Sequence, residues 1–237
     1  MKLLKLIFSQ YFKILCVVLV SIVSSSCSET KTSLTSNFVD PYDISKISKF
    51  RSCCGHDFSG WGEKNRSMKT YLHPAPTFTA SDNELPIYSP FDGKIIAIKD
   101  ERHFLPCYDE IHGKQIHIEP SDDSRITMRF FHANPLVAEG DTVYSGQHIG
   151  FADLRGCDLD NENIKSIEPY SFDVSLEIGI ANHYVSTFDY LDESVLDEWL
   201  TRGLSSINDT FISKADRDAD PCTSWNEDQC AMDEVTF

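Results

Sequence analysis

The sequence predicts an all-β fold, an antiparallel β-sandwich followed by one short C-terminal helix. Short stretches of alternating apolar and polar residues recur along the middle of the chain, as around His117, where Ile116 and Ile118 share the opposite face. Turn signals such as Asp92-Gly93 separate these stretches at the close spacing that is typical of sandwiches. The chain has 237 residues, is 41% hydrophobic and contains 15 Phe, so it can bury a core.

Each predicted element has its own signal in the chain. The helix begins after Asp192, a good N-cap, and ends at Gly203, while Leu196, Trp199 and Leu200 form its apolar stripe. The strands are short alternating or apolar segments bounded by turns, at residues 87–90, 94–99, 115–119, 125–131, 142–144, 147–152 and 171–180.

Composition divides the chain into four segments. These are a signal peptide at 1–26, a polar tether at 27–46, a β domain with its terminal helix at 47–204, and an acidic tail at 205–237. The first segment has a basic start, an apolar run from residue 14 to residue 23 and small residues before a cleavage point, which is the layout of a secretory signal.

Cys27 follows these small residues directly. The arrangement resembles the lipobox of bacterial lipoproteins, although Ser24 stands where that motif has Leu. The resemblance implies that Cys27 is lipidated and anchors the protein to a membrane of the bacterial cell envelope, on the periplasmic side or at the cell surface. The alternative is ordinary secretion with Cys27 unmodified.

Charge narrows the range of partners. The formal net charge is −16, whereas a protein that binds phosphate groups along a nucleic acid needs a basic face. We therefore expect no nucleic-acid partner.

Cysteine usage predicts disulfides. Six of the 8 Cys remain once Cys16 of the signal and Cys27 are set aside, and an even number in an exported protein favours pairing. Cys222 and Cys230 lie close together in the acidic tail, and we predict that they pair with each other. The partners of the other four stay open: Cys53, Cys54, Cys107 and Cys157.

The residues with the most chemical potential lie between Cys53 and Asp57, and four later motifs follow them in a specific order. These motifs are SPFDGKI at 89–95, RFFHA at 129–133, VAEGDTVYSGQHIG at 137–150 and SFDVSLEI at 171–178. The series resembles the lysostaphin-type zinc endopeptidases, whose motifs run HxGxD, DGK, YaHL, a GD-V-x-x-G-x-x-IG segment and HLHFEV. The resemblance covers about residues 50–190 and implies the LytM-like, duplicated-hybrid-motif sandwich.

The resemblance also implies a catalytic metal site, and here the sequence departs from the family. Asp57 matches the ligand Asp and His132 matches the catalytic His of YaHL, whereas Cys53 stands where a ligand His belongs. Asp173 and Ser175 replace the two histidines of HLHFEV.

A second register places Pro169 and Ser171 at those two positions, and neither register keeps a histidine. The start FRSCCGHDFS with the following RSMK looks like a less studied subgroup of the family that also lacks the zinc histidines. We expect no cofactor, and zinc only if the protein is active and Cys53 is a free thiol beside Asp57.

Polar residues near this stretch are candidates for binding in the cleft. His56, Arg51, Arg66 and Asp173 are assigned this role, with Lys69 in the same basic cluster. The two arginines could bind a carboxylate of a stem peptide. The alternative is that these cations pair with Asp and Glu, and that His56 is structural.

The acidic tail contains a weak calcium signal. Carboxylate and hydroxyl residues have the spacing of an EF-hand loop, but Pro221 replaces the expected glycine and no helix pattern follows. We favour a solvated tail over calcium binding. The residues concerned are Asp216, Asp218, Asp220, Ser224 and Glu227.

Three functional hypotheses follow. The first is a non-catalytic, lipid-anchored envelope protein with a peptidase-like fold that binds peptidoglycan or an envelope partner. The second is a peptidoglycan-cleaving metallopeptidase with a non-standard site at Cys53, Asp57, His132 and Asp173. The third is a structural module in which the tail and the disulfides matter more than the cleft.

Overall fold

The structure, a computed structural model, describes residues 32–101, 113–158, 163–165 and 169–237. Antiparallel strands dominate it, so the predicted all-β class is confirmed. In the described residues the strands are β1 (Ile44–Ser48), β2 (Thr70–Pro74), β3 (Leu85–Tyr88), β4 (Gly93–Asp100), β5 (Lys114–Pro120), β6 (Ile126–Pro135), β7 (Thr142–Val143), β8 (His148–Ala152), β9 (Gly156–Asp158), β10 (Asn163–Lys165), β11 (Phe172–Ile178), β12 (Tyr184–Val185) and β13 (Glu234–Thr236).

Three α-helices lie in the C-terminal part: α1 (Glu193–Arg202), α2 (Lys214–Ala219) and α3 (Glu227–Ala231). The predicted helix is α1. Its N-cap Asp192 accepts a hydrogen bond from the Ser194 amide, and Gly203 is its C-cap. Within the described residues, no helix is both long and apolar enough to cross a membrane.

The sheet branches at its longest strand, β6. The main path runs β13-β1-β2-β11-β6-β5-β4-β7. Beyond its first part, β6 continues through Ala133–Pro135 to pair with β8, and β8 pairs with β3. Leu85 and Ile87 of β3 share one hydrophobic core with Ile116 and Met128 of the main path, which joins the branch to the main sheet.

Both faces of the central strands are buried, and they differ in chemistry. Strand alternation sends Phe172 and Val174 of β11 into the hydrophobic core and turns Asp173 and Ser175 to the opposite face. Those two polar residues are only 0% and 1% exposed. Because polar side chains are rarely buried without partners, this second face is the candidate location of a functional site.

Residues 32–46 do not form the predicted tether. Leu34, Phe38 and Val39 are buried in the hydrophobic core, and Ile44 opens β1, which pairs with β2. The prediction rested on the high Ser and Thr content of this segment. It missed the domain boundary because single apolar residues, spaced among polar ones, are enough to dock a segment onto a core. The predicted signal peptide and Cys27 lie outside the described residues.

Residues 205–237 are also an integral part of the domain and not a solvated acidic tail. Strand β13 pairs with β1 at the sheet edge. Arg217 of α2 is 5% exposed; it donates to the Arg51 carbonyl at 2.8 Å and to the Asp233 carboxylate at 2.6 Å.

The predicted Cys222–Cys230 disulfide is wrong, although both residues are in disulfides. Cys53 bonds Cys222, and Cys54 bonds Cys230. The prediction was based on the short loop between the two tail cysteines. No local pattern indicates that the chain folds back over residues 53–54. Cys107 lies outside the described residues, so no partner is assigned to it. The two bonds hold the C-terminal segment to the start of the stretch from Cys53 to Asp57.

The two disulfides should be partly redundant, because either bond alone already holds the C-terminal segment to residues 53–54. Replacing Cys54 and Cys230 by Ser should lower the free energy of unfolding by about 3 kcal/mol. While the Cys53–Cys222 bond is intact, the Cys54–Cys230 bond closes an additional loop of only about ten residues. Replacing Cys53 and Cys222 as well should remove about 5 kcal/mol more, since their bond closes a loop with a sequence separation of 169.

Urea unfolding of both single-disulfide variants and of the variant without either bond measures these differences. The loss from removing both bonds should exceed the sum of the two single losses. If the two single-disulfide losses in free energy of unfolding add up to the loss measured without either bond, this account of the cross-links is contradicted.

Candidate functional site

The site lies on the polar face of the central sheet, where three elements meet. Asp173 of β11 is directly opposite Tyr71 of β2, and the next residue of β11 is opposite Phe130 of β6. Lys69 immediately precedes β2, and His132 lies in β6 two residues beyond Phe130. The antiparallel register therefore brings residues that are far apart in sequence to one place.

Four charged or ionisable side chains form a continuous chain of contacts there. Lys69 Nζ lies 2.5 Å from Asp173 Oδ2, and His132 Nε2 lies 3.2 Å from Asp173 Oδ1. On the other side of the imidazole, His132 Nδ1 lies 2.7 Å from Glu101 Oε2. With His132 protonated, the chain alternates cation and anion and has no net charge. We call these four residues the ion network.

The ion network is closed off from solvent. The side chains of Lys69, Glu101 and His132 are 5%, 5% and 14% exposed, and that of Asp173 is 0% exposed. Charges buried this deeply are stable only when they are paired, so each member depends on its neighbours.

Aromatic rings surround the ammonium group of Lys69. Its Nζ lies 3.8 Å from the ring centre of Phe131, 4.7 Å from that of Phe58 and 5.9 Å from that of Tyr71. The negative faces of such rings attract a cation. Phe58 also packs edge-on against Phe131 at 5.8 Å, so the segment that contains the HxGxD-like stretch covers the ion network.

The electrostatics of the site fix its protonation state. Burial alone would lower the pKa of His132, but the carboxylates of Asp173 and Glu101 outweigh that effect and raise it to about 10. Burial alone would raise the pKa of Asp173, but Lys69 and His132 hold it well below its usual range. At neutral pH the imidazolium and the carboxylate are therefore both charged.

The backbone around the site is tightly constrained. His132 has φ 53°, in the left-handed region that few residues other than glycine adopt, and its carbonyl accepts a hydrogen bond of 2.6 Å from the Asp153 amide. Gly55 has φ +69°, and a Cβ there would lie 2.1 Å from the Tyr71 hydroxyl oxygen. Glycine at position 55 lets the loop lie directly against Tyr71. Burial of Tyr71 and the charge of Asp173 raise the pKa of the tyrosine well above its usual value.

The predicted metal ligands are engaged in other contacts. Cys53 is in a disulfide and cannot supply a thiolate, so its assignment as a ligand is wrong. Asp57 is exposed and accepts hydrogen bonds from the amide and hydroxyl of Ser59, which makes it the first residue of a local turn. His56 is exposed too, and its Nδ1 lies 3.0 Å from the Asp57 carbonyl oxygen.

The predicted basic cluster pairs with acidic residues, as the alternative interpretation held. Arg66 is 2% exposed and forms salt bridges with Glu63 at 2.6 Å and Asp218 at 2.5 Å. Arg51 donates to both carboxylate oxygens of Glu63, at 2.8 and 2.9 Å, and to the Ile212 carbonyl. Both guanidinium groups are therefore engaged within the protein.

The part of the chain that the structure describes contains no cluster of free side chains that fits a zinc ion. Within the described residues, only Cys54, Cys230 and Glu234 place at least three ligand atoms of His, Cys, Asp or Glu within 4.8 Å of one another, and the two sulfurs are bonded to each other. Both carboxylate oxygens of Asp173 already face cationic partners. A catalytic zinc needs about three such donors that are free to bind it.

The calcium loop suggested for the tail does not form either. Asp216 and Asp218 lie in helix α2, and Asp220 is its C-cap, whereas an EF-hand requires these positions in an open loop. Asp218 also pairs with Arg66 and with Lys214, each at 2.5 Å.

Sequence reasoning located His132 and Asp173 but missed what joins them. Lys69 was one member of a basic cluster, and nothing in its neighbours identified Asp173 as its partner. Glu101 carries no motif. Glu101 follows the predicted strand at 94–99, and Lys69 lies next to no predicted strand, so neither position stood out in the sequence.

Comparisons with known proteins found similar solved structures only. No protein-family model and no curated protein matches it. Among solved structures, it is similar to the SpoIIQ–SpoIIIAH pore-forming complex, at 12% identity over 70% of this chain and 97% of that one, with a TM-score of 0.45.

Two peptidase structures are also similar. The catalytic domain of the antimicrobial peptidase lysostaphin from Staphylococcus simulans is 15% identical over 61% of this chain and 90% of its own, with a TM-score of 0.37. A variant of the catalytic domain of the prophage-encoded M23 protein EnpA from Enterococcus faecalis is 19% identical over 64% and 93%, with a TM-score of 0.37. M23 peptidase domains, which the motifs resemble, are thus among the structures similar to this chain. At such low identities and TM-scores, its function is inferred from its own residues.

The ion network should make stability fall at alkaline pH. Because the folded pKa of His132 is raised to about 10, its contribution is complete below the unfolded value of about 6.5 and is lost as the pH rises towards 10. In His132→Gln, the free energy of unfolding at pH 7 should be lower, and its decline between pH 7 and 9.5 should flatten by roughly 1 kcal/mol per pH unit.

His117→Gln is the matched control, because burial lowers the pKa of His117 to about 4. His117 destabilises the fold only as the pH falls from about 6.5 towards 4. In His117→Gln the free energy of unfolding should therefore depend less on pH below about 6.5, and its decline above pH 7 should be unchanged. Urea unfolding from pH 5 to 9.5 gives both slopes. An unchanged alkaline slope in His132→Gln would contradict a protonated imidazole in the network.

Proposed function

We propose that this protein is a non-catalytic, lipid-anchored protein of the bacterial cell envelope, and that its peptidase-like β domain binds peptidoglycan or an envelope protein without cleaving it. The observation that carries the proposal is the ion network, which occupies the candidate catalytic face with internal salt bridges. The envelope location rests on the signal-like N-terminus and the lipobox resemblance at Cys27.

The protonation state of the network argues against hydrolysis. A general base must be able to accept a proton and must reach the reacting water. His132 is protonated at neutral pH because its pKa is about 10, and its two ring nitrogens face Asp173 and Glu101. Neither the imidazole nor the carboxylate of Asp173 is available to activate water.

The energetics argue against opening the network for catalysis. Removing one partner of a buried ion pair typically costs about 3–5 kcal/mol because the other charge is left unpaired. A substrate or a metal that displaced Lys69 from Asp173 would have to compensate this loss.

The disulfides support an exported protein and weaken the alternative of an unusual metallopeptidase. Disulfides persist in oxidising compartments such as the periplasm or the cell exterior. The metallopeptidase hypothesis required a free thiol at Cys53, and Cys53 is bonded to Cys222.

Binding without cleavage can be tested on purified sacculi with residues 28–237, which contain the whole described domain. We expect the protein to co-sediment with the sacculi and to leave their turbidity unchanged over hours, with or without added zinc. His132→Ala should not alter turbidity either, because the residue has no role in cleavage.

Release of soluble fragments that depends on His132 would contradict the proposal and restore the enzyme hypothesis. Absence of co-sedimentation would overturn peptidoglycan as the ligand and leave an envelope protein as the partner.

A further inference from the structure

A concave site that is distinct from the ion network lies beside it. It is a cleft of about 270 Å³ whose lining includes Arg51, Trp61, Glu63, His183, Ser186 and Asp189. No member of the ion network lines it. Tyr184 and Met68 form its inner wall, and Tyr184 packs against Phe58, which covers Lys69. The cleft therefore adjoins the covered peptidase-like face but is separate from it.

An exposed aromatic pair forms the rim of this cleft. The Trp61 side chain is 72% exposed, and its ring meets that of His183 edge-on at 6.3 Å. The Trp61 amide donates a hydrogen bond of 2.8 Å to the Asn182 carbonyl, which joins the two loops that carry the rings. A tryptophan held by its backbone with its indole towards solvent is an amphipathic surface that suits a ligand with an apolar face.

A buried serine in the lining of the cleft points to the same kind of ligand. Ser186 is 4% exposed, and its Oγ has no hydrogen-bond partner in the described part of the chain. A buried hydroxyl without a partner is unfavourable, so a polar atom from outside the protein would complete it. The cleft thus combines an aromatic rim with an unsatisfied hydroxyl.

The charges of the cleft disfavour an anionic ligand, since its lining also contains the carboxylate of Asp189. The guanidinium of Arg51 is held by Glu63 and by the Ile212 carbonyl, so it is not available to bind an anion. Glu63 is neutralised by both Arg51 and Arg66. The formal net charge of −16 further disfavours an acidic stem peptide.

We infer that this cleft binds a neutral saccharide, with a sugar ring stacked on Trp61 and a ring hydroxyl or amide bonded to Ser186 Oγ. A pyranose has an apolar face of C–H groups and a rim of hydroxyls, which matches the aromatic rim and the buried acceptor. The volume is slightly below the range of about 300–1,000 Å³ for drug-sized ligands, which leaves room for about one or two rings. This inference rests on the proposed function and assigns the glycan strand, rather than the peptide, as the part of peptidoglycan that is bound.

The test uses residues 28–237 and chitotetraose, a soluble β-1,4-linked tetramer of N-acetylglucosamine. Calorimetry should detect binding, and tryptophan emission should change in the unsubstituted protein but not in Trp61→Phe beyond the small contribution of the other indoles. Trp61→Ala should weaken binding by roughly tenfold or more, because the stacking surface is lost. Ser186→Ala should weaken it by roughly fivefold, because one hydrogen bond is lost.

Tyr144→Ala is the matched control, since Tyr144 is 65% exposed and does not line the cleft. It should bind chitotetraose like the unsubstituted protein. An uncharged acetylated stem tripeptide should not compete. Absence of chitotetraose binding, equal affinity in Trp61→Ala, or competition by the tripeptide would overturn the inference.

Sedimentation with sacculi separates this inference from the proposed function. If Trp61→Ala still co-sediments with sacculi and chitotetraose does not bind, the saccharide cleft is wrong while peptidoglycan binding stands. If the unsubstituted protein binds neither sacculi nor chitotetraose, the saccharide cleft and peptidoglycan as the ligand are both wrong, and an envelope protein is left as the partner. Loss of both activities in Trp61→Ala, with the control intact, supports both.

Discussion

The contact between Lys69 and Asp173 is the interaction on which the rest of the site depends. A carboxylate that is fully buried between strands must have a cationic partner, and the lysine ammonium supplies one from the neighbouring strand edge. The second oxygen of the same carboxylate faces His132, and this sets the charge of the imidazole. Phe58 and Phe131 enclose the ammonium group, so the covering loop is fixed by the same cation. A cation from the chain itself thus balances the buried carboxylate.

The C-terminal segment holds the covering loop in place, although it contributes no residue to the ion network. The consecutive cysteines 53 and 54 each bond a cysteine of that segment, and Arg217 and Asp233 satisfy the backbone around them. The loop that descends onto Tyr71 at Gly55 is therefore held at its start by two covalent bonds. The cleft beside Trp61 uses the other end of the same loop, so one segment both closes the peptidase-like face and forms the rim of a separate surface.

The sequence was informative where local patterns decide the structure. Alternation in β5 and β6 and the caps of α1 were sufficient to predict these elements, and the order of the motifs led to His132 and Asp173. It failed where long-range contacts decide. The disulfide partners of Cys53 and Cys54 are about 170 residues away, and no spacing rule encodes such a contact. The polar segment at 32–46 gave no sign that Phe38 would be buried, and Glu101 had no motif to mark it.

The central claim is that the ion network takes the place of a metal centre, and metal content tests it most directly. Mass spectrometry would be applied to residues 28–237 purified from an oxidising compartment, before and after dialysis against zinc. The account predicts far less than one zinc ion per chain in both samples, and the same low value in Asp57→Ala. Zinc close to one ion per chain that disappears in Asp57→Ala would contradict it, because that residue would then be a ligand and the face could not be closed by the contact of Lys69 with Asp173.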